Sequence, residues 1–173
     1  MRSWRMAEAF MEYFVQPVRW SGQTLYLIYY SNDQDGVLTQ DDRTILHWDD
    51  SEQARLLCKK RKLKLQPDLP LLDLESIQVW SQSRIRSLPE AAVLYRCWNF
   101  LGDIATSRQC SQSYLGYDSD FSPIHEELFW GSNLPGFSQS QEVYQIDLSQ
   151  TEIKALRKIM RSGLEIFQQG LET

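Results

Sequence analysis

From Val93 to Ala105 the chain sets Val93, Leu94, Cys97, Trp98, Phe100, Leu101, Ile104 and Ala105 around nearly every side of a helix. A helix that is apolar all round has no face to offer water, so it must lie at the centre with other elements wrapped about it. Its start is marked by Ser87-Leu-Pro-Glu90, a capping-box pattern with Pro in the first turn, and it is expected to run to about Arg108. Two polar residues, Asn99 and Asp103, interrupt the apolar surface four positions apart and so share a face. Buried polar groups need hydrogen-bond partners. The expectation is a structural polar pair that clamps a neighbouring loop through its backbone amides.

The N-terminal half reads differently. Tyr13–Trp20 and Thr24–Tyr30 alternate with period two and are separated by Ser21-Gly22, a hairpin pattern. Val37–Thr39 and Thr44–Trp48 form a second hairpin candidate. Trp4–Glu12 is either a short helix or a lead-in. Behind Asp49-Asp50, Glu52–Lys62 turns helical, with Ala54, Leu57 and Cys58 on one side. Leu71–Ser83 is ambiguous between helix and strand; Asp73 as a cap favours a helix. Cys110–Phe121 is a loop, Ser122-Pro123 opens a short helix that Gly131 ends, and Gly131–Gln141 is a further loop. A second capping box, Ser149-Gln-Thr-Glu152, starts the last helix. Its apolar face is Ile153, Leu156, Ile159, Met160, Leu164 and Phe167, and Gly170 is the expected C-cap. Strands early and helices late specify one α+β domain over 1–173, with strands at about 13–48 and helices at about 50–170. The N-terminal antiparallel hairpins, or meander, pack against C-terminal helices that cover one side of the sheet.

The sequence offers little for chemistry. Cys58, Cys97 and Cys110 form no C-x-x-C pair, and His47 and His125 are the only imidazoles. His125-Glu126-Glu127-Leu-Phe129 starts like a zinc-protease helix, but Phe129 stands where the second His is required, so His125 is expected as a partly exposed surface residue in the first turn of a short helix. Ser31-Asn-Asp33-Gln-Asp35-Gly36, continuing to Asp42, places oxygens and a Gly at EF-hand positions. Its flanks are strands and its first position is Ser, so a turn with Gly36 at positive φ is preferred to a calcium loop. Nucleophile-elbow and phosphate-loop patterns are absent from the sequence. The expectation is a protein with no catalytic residues, metal or cofactor, which acts by binding. The N-terminal residues lack a continuous apolar core of the signal-peptide kind, and the longest apolar run, Leu25–Tyr30, is far shorter than the ~20 residues that span a bilayer. A cytoplasmic location is expected.

Charge indicates the partner. The net charge of −5 is modest, but its acids are clustered. Ser31–Glu52 carries Asp33, Asp35, Asp41, Asp42, Asp49, Asp50 and Glu52 against Arg43 alone. From Gln109 to Ile153 there is no Lys or Arg, while Asp118, Asp120, Glu126, Glu127, Glu142, Asp147 and Glu152 accumulate. Such segments repel nucleic acid and anionic membranes and attract a basic protein. Tyr114, Tyr117 and Phe121 lie among the acids, and Tyr in particular is a frequent interface anchor.

Two segments carry a family resemblance: Leu94-Tyr-Arg-Cys-Trp98-Asn99-Phe-Leu-Gly-Asp103-Ile104-Ala105, and Glu127-Leu-Phe129-Trp130-Gly-Ser-Asn133-Leu134-Pro135. With the closing Ser149–Phe167 helix, they resemble the bacterial immunity proteins encoded beside contact-dependent growth inhibition toxins. The resemblance covers the C-terminal half and, in outline, the hairpins. It implies a protein that binds and neutralises the toxin domain of a contact-delivered effector, often a nuclease, with the early strands as an acceptor for a toxin hairpin. The residues expected to bind toxin are Asp33, Asp35, Asp41, Asp42, Asp118, Asp120, Glu126, Glu127, Tyr114 and Tyr117. The alternatives are a binding or regulatory module with no toxin partner, or a small enzyme using Asp103 or the Glu126-Glu127 pair.

Overall fold

The computed structural model describes residues 11–84, 87–134 and 143–172. The chain begins with the expected hairpin, β1 (Glu12–Trp20) and β2 (Gln23–Ser31), paired antiparallel along their whole length. Ser21 and Gly22 turn it with φ of 49° and 76°. Two successive left-handed residues match the twist of the strands they join. Most of Trp4–Glu12 lies outside the described residues.

The second hairpin is reduced to a few pairings. β3 (Gly36–Val37) and β4 (His47–Trp48) both add to β2, at Tyr29–Tyr30 and Tyr26–Leu27 respectively. They meet each other only at the Thr39–Ile45 bridge and its neighbouring backbone hydrogen bonds. On the far edge, β5 (Leu72–Asp73) runs parallel to β1. The sheet is therefore mixed, with order β3-β2-β1-β5 and β4 beside β2, rather than purely antiparallel. Gly36 has no positive φ. A Cβ there would run into the Tyr30 hydroxyl and stand 2.6 Å from Ser107 Oγ, so what suits glycine is close approach to the neighbouring strand and helix and not turn geometry.

Helices cover both faces of the sheet, where one was expected. On one face, α1 (Ser51–Lys60) lays Ala54 and Cys58 against Val15 and Ile28, a small core of its own. The reason lies in the strands: β1 and β2 carry apolar residues on both sides of the pleat, and each side needs cover. The opposite face, with Val18, Trp20, Leu25 and Leu27, joins the main core beneath α2 (Leu74–Gln82), α3 (Ala91–Ser107) and α5 (Gln150–Leu171). The architecture is α+β, with strands early and helices late.

Asp73 caps α2 as expected, accepting from Ser76 N at 2.9 Å. The box at Ser87–Glu90 does not form. α3 begins at Ala91 with Glu90 as N-cap and no side-chain capping bond. Ser87 is held outside the helix instead, its carbonyl accepting from Trp80 Nε1 of α2 at 3.1 Å. After α3, Cys110–Phe121 winds through three short 3-10 turns, and α4 (Ser122–Gly131) follows with Pro123 in its first turn. Of the loop that follows, 135–142 lies outside the described residues, including Pro135 and Glu142.

The capping box of α5 is complete, with Ser149 and Glu152 bonded in both directions. Its six expected core residues are all buried. Gly170 is not a cap, because the helix continues through Leu171. It lets the helix approach Ile45, whose Cδ1 would be 2.6 Å from a Cβ at that position. Ile45 N in turn donates to Gly170 O at 2.7 Å.

Candidate functional site

A helix repeats its direction about every 3.6 residues, so Arg96, Asn99 and Asp103 form one polar stripe on the otherwise buried α3. The stripe faces an open cleft of about 650 Å³. β1 and β2 contribute Gln16 and Tyr29, the loop before β3 contributes Asp35, and the approach to β5 contributes Pro70. The 3-10 turns and α4 close the other side with Tyr117, Ser122 and His125. Aromatic surface from Trp98 and Phe100 completes the lining.

Asp103 and Asn99 are both hydrogen-bonded, but to side chains rather than to loop amides. Tyr29 Oη donates to Asp103 Oδ2 at 2.8 Å. Burial pushes the Asp103 carboxyl up to about 6, and the negative charge of Asp35 adds to the effect while the Tyr29 hydroxyl opposes it. Burial also raises Tyr29, reinforced by Asp103 and Asp35, so its hydroxyl stays protonated and is a permanent donor. Asp103 Oδ1 receives no hydrogen bond from the described residues and remains available within the cleft.

Asn99 Oδ1 lies 2.9 Å from His125 Nε2. The His125 ring packs against Tyr95 and Trp98 at centroid distances of 5.1 and 5.2 Å. Burial lowers its pKa, so the ring is neutral near pH 7. The tautomer that donates from Nε2 to Asn99 leaves Nδ1 as an acceptor. His125 is thus half-buried in the cleft wall, partly exposed as the sequence suggested. Gln16 is buried, with Nε2 donating to the carbonyls of Pro17 and Pro70 at 2.8 and 2.9 Å. Arg96 is exposed and donates to the same Pro70 carbonyl at 3.2 Å.

The residues expected to bind toxin divide into three groups. Asp35 and Tyr117 line the cleft. Asp35 accepts from Ser31 Oγ at 2.8 Å, and Tyr117 is half-exposed with its hydroxyl 2.9 Å from Thr106 Oγ1. Asp33, Asp118, Asp120 and Glu126 are exposed outside it, and Asp118 turns back to accept from Asp120 N. Asp41 and Asp42 border a separate depression with Arg61. The Thr44 amide donates to Asp42 and holds its carboxyl below the usual carboxylate range.

One of these expectations is corrected, and Glu127 has partners within the fold. Tyr114 is 2% exposed. It fills a slot bounded by Gly102, Gly116 and Gly163, and donates to Trp98 O at 2.8 Å, so it holds the core and offers no anchor. Glu127 is occupied within the fold, accepting from Tyr144 Oη at 2.7 Å and Asp147 N at 3.2 Å, where it ties the segment before α5 to α4.

Among the described residues no group of three or more His, Cys, Asp and Glu is placed to hold a metal ion, and this includes Ser31–Asp42. Cys97 is buried, and burial pushes its thiol up to about 12; burial raises Cys58 as well. Neither supplies a thiolate. No described helix is long and apolar enough to cross a membrane. No protein-family model, curated protein or solved structure matches this chain.

Proposed function

We propose that this chain is an immunity protein that binds and neutralises the basic toxin domain, in our reading a nuclease, of a contact-dependent inhibition effector, and that it catalyses no reaction itself. One observation carries the reading. The two acid-rich segments lie far apart in sequence, yet each contributes residues to the lining of one cleft. Asp35 comes from the first; Tyr117 and His125 come from the second, whose Asp118, Asp120 and Glu126 are exposed outside the cleft next to them in sequence. Acids gathered around a concave, aromatic-lined surface favour fast association with a basic domain and give aromatic area for contact. The family resemblance of α3, α4 and α5 agrees with this role.

Co-expression with the toxin domain encoded beside this gene tests the proposal. Cells should survive, and the two chains should co-purify. The association rate should fall at least ~10-fold between about 50 and 500 mM salt, because exposed charges steer the encounter. Toxic cells despite stable expression of this chain would refute it.

A second reading rests on Asp103 and His125. A carboxyl raised to about 6 and a neutral imidazole in one cleft is an arrangement that small enzymes use for acid–base work. That reading requires protection to be lost when His125 is replaced by Gln while toxin binding persists. A purely binding role requires protection and affinity to change together.

A further inference from the structure

Arg96 and Asp103 lie seven residues apart on the stripe of α3, two turns and about 10 Å along the axis. The cleft is therefore polarised. At one end the Arg96 guanidinium is held by the Pro70 carbonyl, where Gln16 also bonds. At the other, Asp35 and Asp103 are close enough for each to act on the other's neighbourhood, with Tyr29 between sheet and helix. Among the described residues Asp103 Oδ1 receives no hydrogen bond, and Tyr29, Phe100 and Tyr117 supply aromatic surface in the same cleft. A carboxylate pair beside aromatic rings is what a desolvated guanidinium or ammonium group requires: charge to pair with, an acceptor in reach, and ring faces to stack on.

We infer that the Asp35–Asp103 end of the cleft is a receptor for one cationic side chain, arginine in preference to lysine, projected from the surface of the partner. The inference rests on the reading of this chain as a binder of a basic toxin domain. Arginine is favoured because its planar group accepts stacking and pairs in two directions, to Asp103 Oδ1 and to the Asp35 carboxylate. Arg96 repels a cation from the opposite end and so fixes where it sits. The Tyr29 hydroxyl, which stays protonated, keeps Asp103 Oδ2 engaged and directs Oδ1 to the guest.

The probe is N-acetyl-arginine methylamide, titrated into the full chain, with the citrulline analogue as a neutral partner of the same shape. Saturable shifts of the Trp98 indole and Asn99 side-chain amide signals are expected with the arginine compound at millimolar concentration and not with citrulline. Asp103→Asn, which keeps an oxygen for Tyr29, should weaken binding at least ~10-fold. Glu165→Gln, on the exposed side of α5, should leave it unchanged.

Binding should also weaken severalfold between about pH 7.5 and pH 5, as Asp103 takes up a proton. The groups that face Asp103 are Tyr29, Asp35, Tyr114 and Tyr117, and Arg96 and His125 complete the charged lining. Of these, His125 also gains charge on acidification, and the Asp103→Asn variant separates its effect.

Equal response to citrulline, shifts confined to other surfaces, or no saturation would overturn the inference. So would micromolar binding of free arginine or a polyamine, which would make the occupant a metabolite rather than a partner's side chain. The test is independent of the toxin. Arginine binding without protection of cells refutes the immunity reading and leaves the receptor. Protection that is unaffected by Asp103→Asn, with no arginine binding, refutes the receptor and leaves the immunity reading.

Discussion

Asp103 illustrates how a half-buried ionisable group can weaken the fold that holds it. It titrates near 6 in the folded chain, against about 3.9 when unfolded. Between these values the folded state keeps a proton that the unfolded state has lost. The stabilising contribution is therefore complete below about pH 4 and disappears as pH rises through 6. Asp103→Asn is expected to be close to neutral near pH 4, and more stable than the parent by about 1–2 kcal/mol above pH 6.5, allowing for partial solvent screening. Urea unfolding at several pH values reads this directly, and a pH-independent difference would contradict it. Asn99 and Asp103 stood out in the sequence because polar residues on an all-apolar helix are conspicuous. Their partners did not. Tyr29 lies 74 positions from Asp103 and His125 26 from Asn99. No local pattern links them. Tyr114 shows the reverse failure: a tyrosine among Ser, Gly and Asp looks like loop surface, and only the three glycines around it, brought in from α3, α5 and its own turn, reveal a buried slot.

At the scale of elements, legibility followed length. The hairpin and α5 are long, periodic and bounded by turn or cap residues, and both form as expected. β3, β4 and β5 are two residues each and owe their pairing to β1 and β2, so nothing in their own composition announces them. Ser87–Glu90 had every local mark of a helix start, and a single tertiary bond to Trp80 overrode it. The α5 box is different, because both halves of it are made. Ser149→Ala should cost about 1 kcal/mol of stability. Gly163→Ala on the same helix should cost more, about 2–3 kcal/mol, because its Cβ would lie 2.7 Å from Leu101 Cβ and push α5 away from α3. Thermal unfolding of the two variants gives the comparison. A Gly163→Ala protein as stable as the parent would mean that the two helices separate without loss.

For the molecule as a whole, composition and patterning made the α+β class legible, while the cleft was invisible because it is assembled from parts of the chain as far apart as Gln16 and His125. The sheet's second helical layer was missed for a related reason. α1 covers a second cluster built on Val15 and Ile28, with Tyr13, Tyr26, Leu38 and Trp48 packed at its margin, residues that come together only when the strands pair. The main core has the opposite character: it is completed by α5, the last element, which lies on both α2 and α3 and is bonded to the Ile45 loop through Gly170. Arg157 of α5 adds a guanidinium 4.6 Å above the Trp80 ring and a bond to the Trp80 carbonyl. This order has a consequence for biosynthesis. A ribosome completes the hairpin and the central helix well before it makes the residues that shield them, so the growing chain presents a bare apolar face, open to protease and to aggregation, until α5 emerges. Nascent chains halted with their exposed portion ending before Gln150 should be cut rapidly by protease, and those exposing the chain through Leu171 should resist.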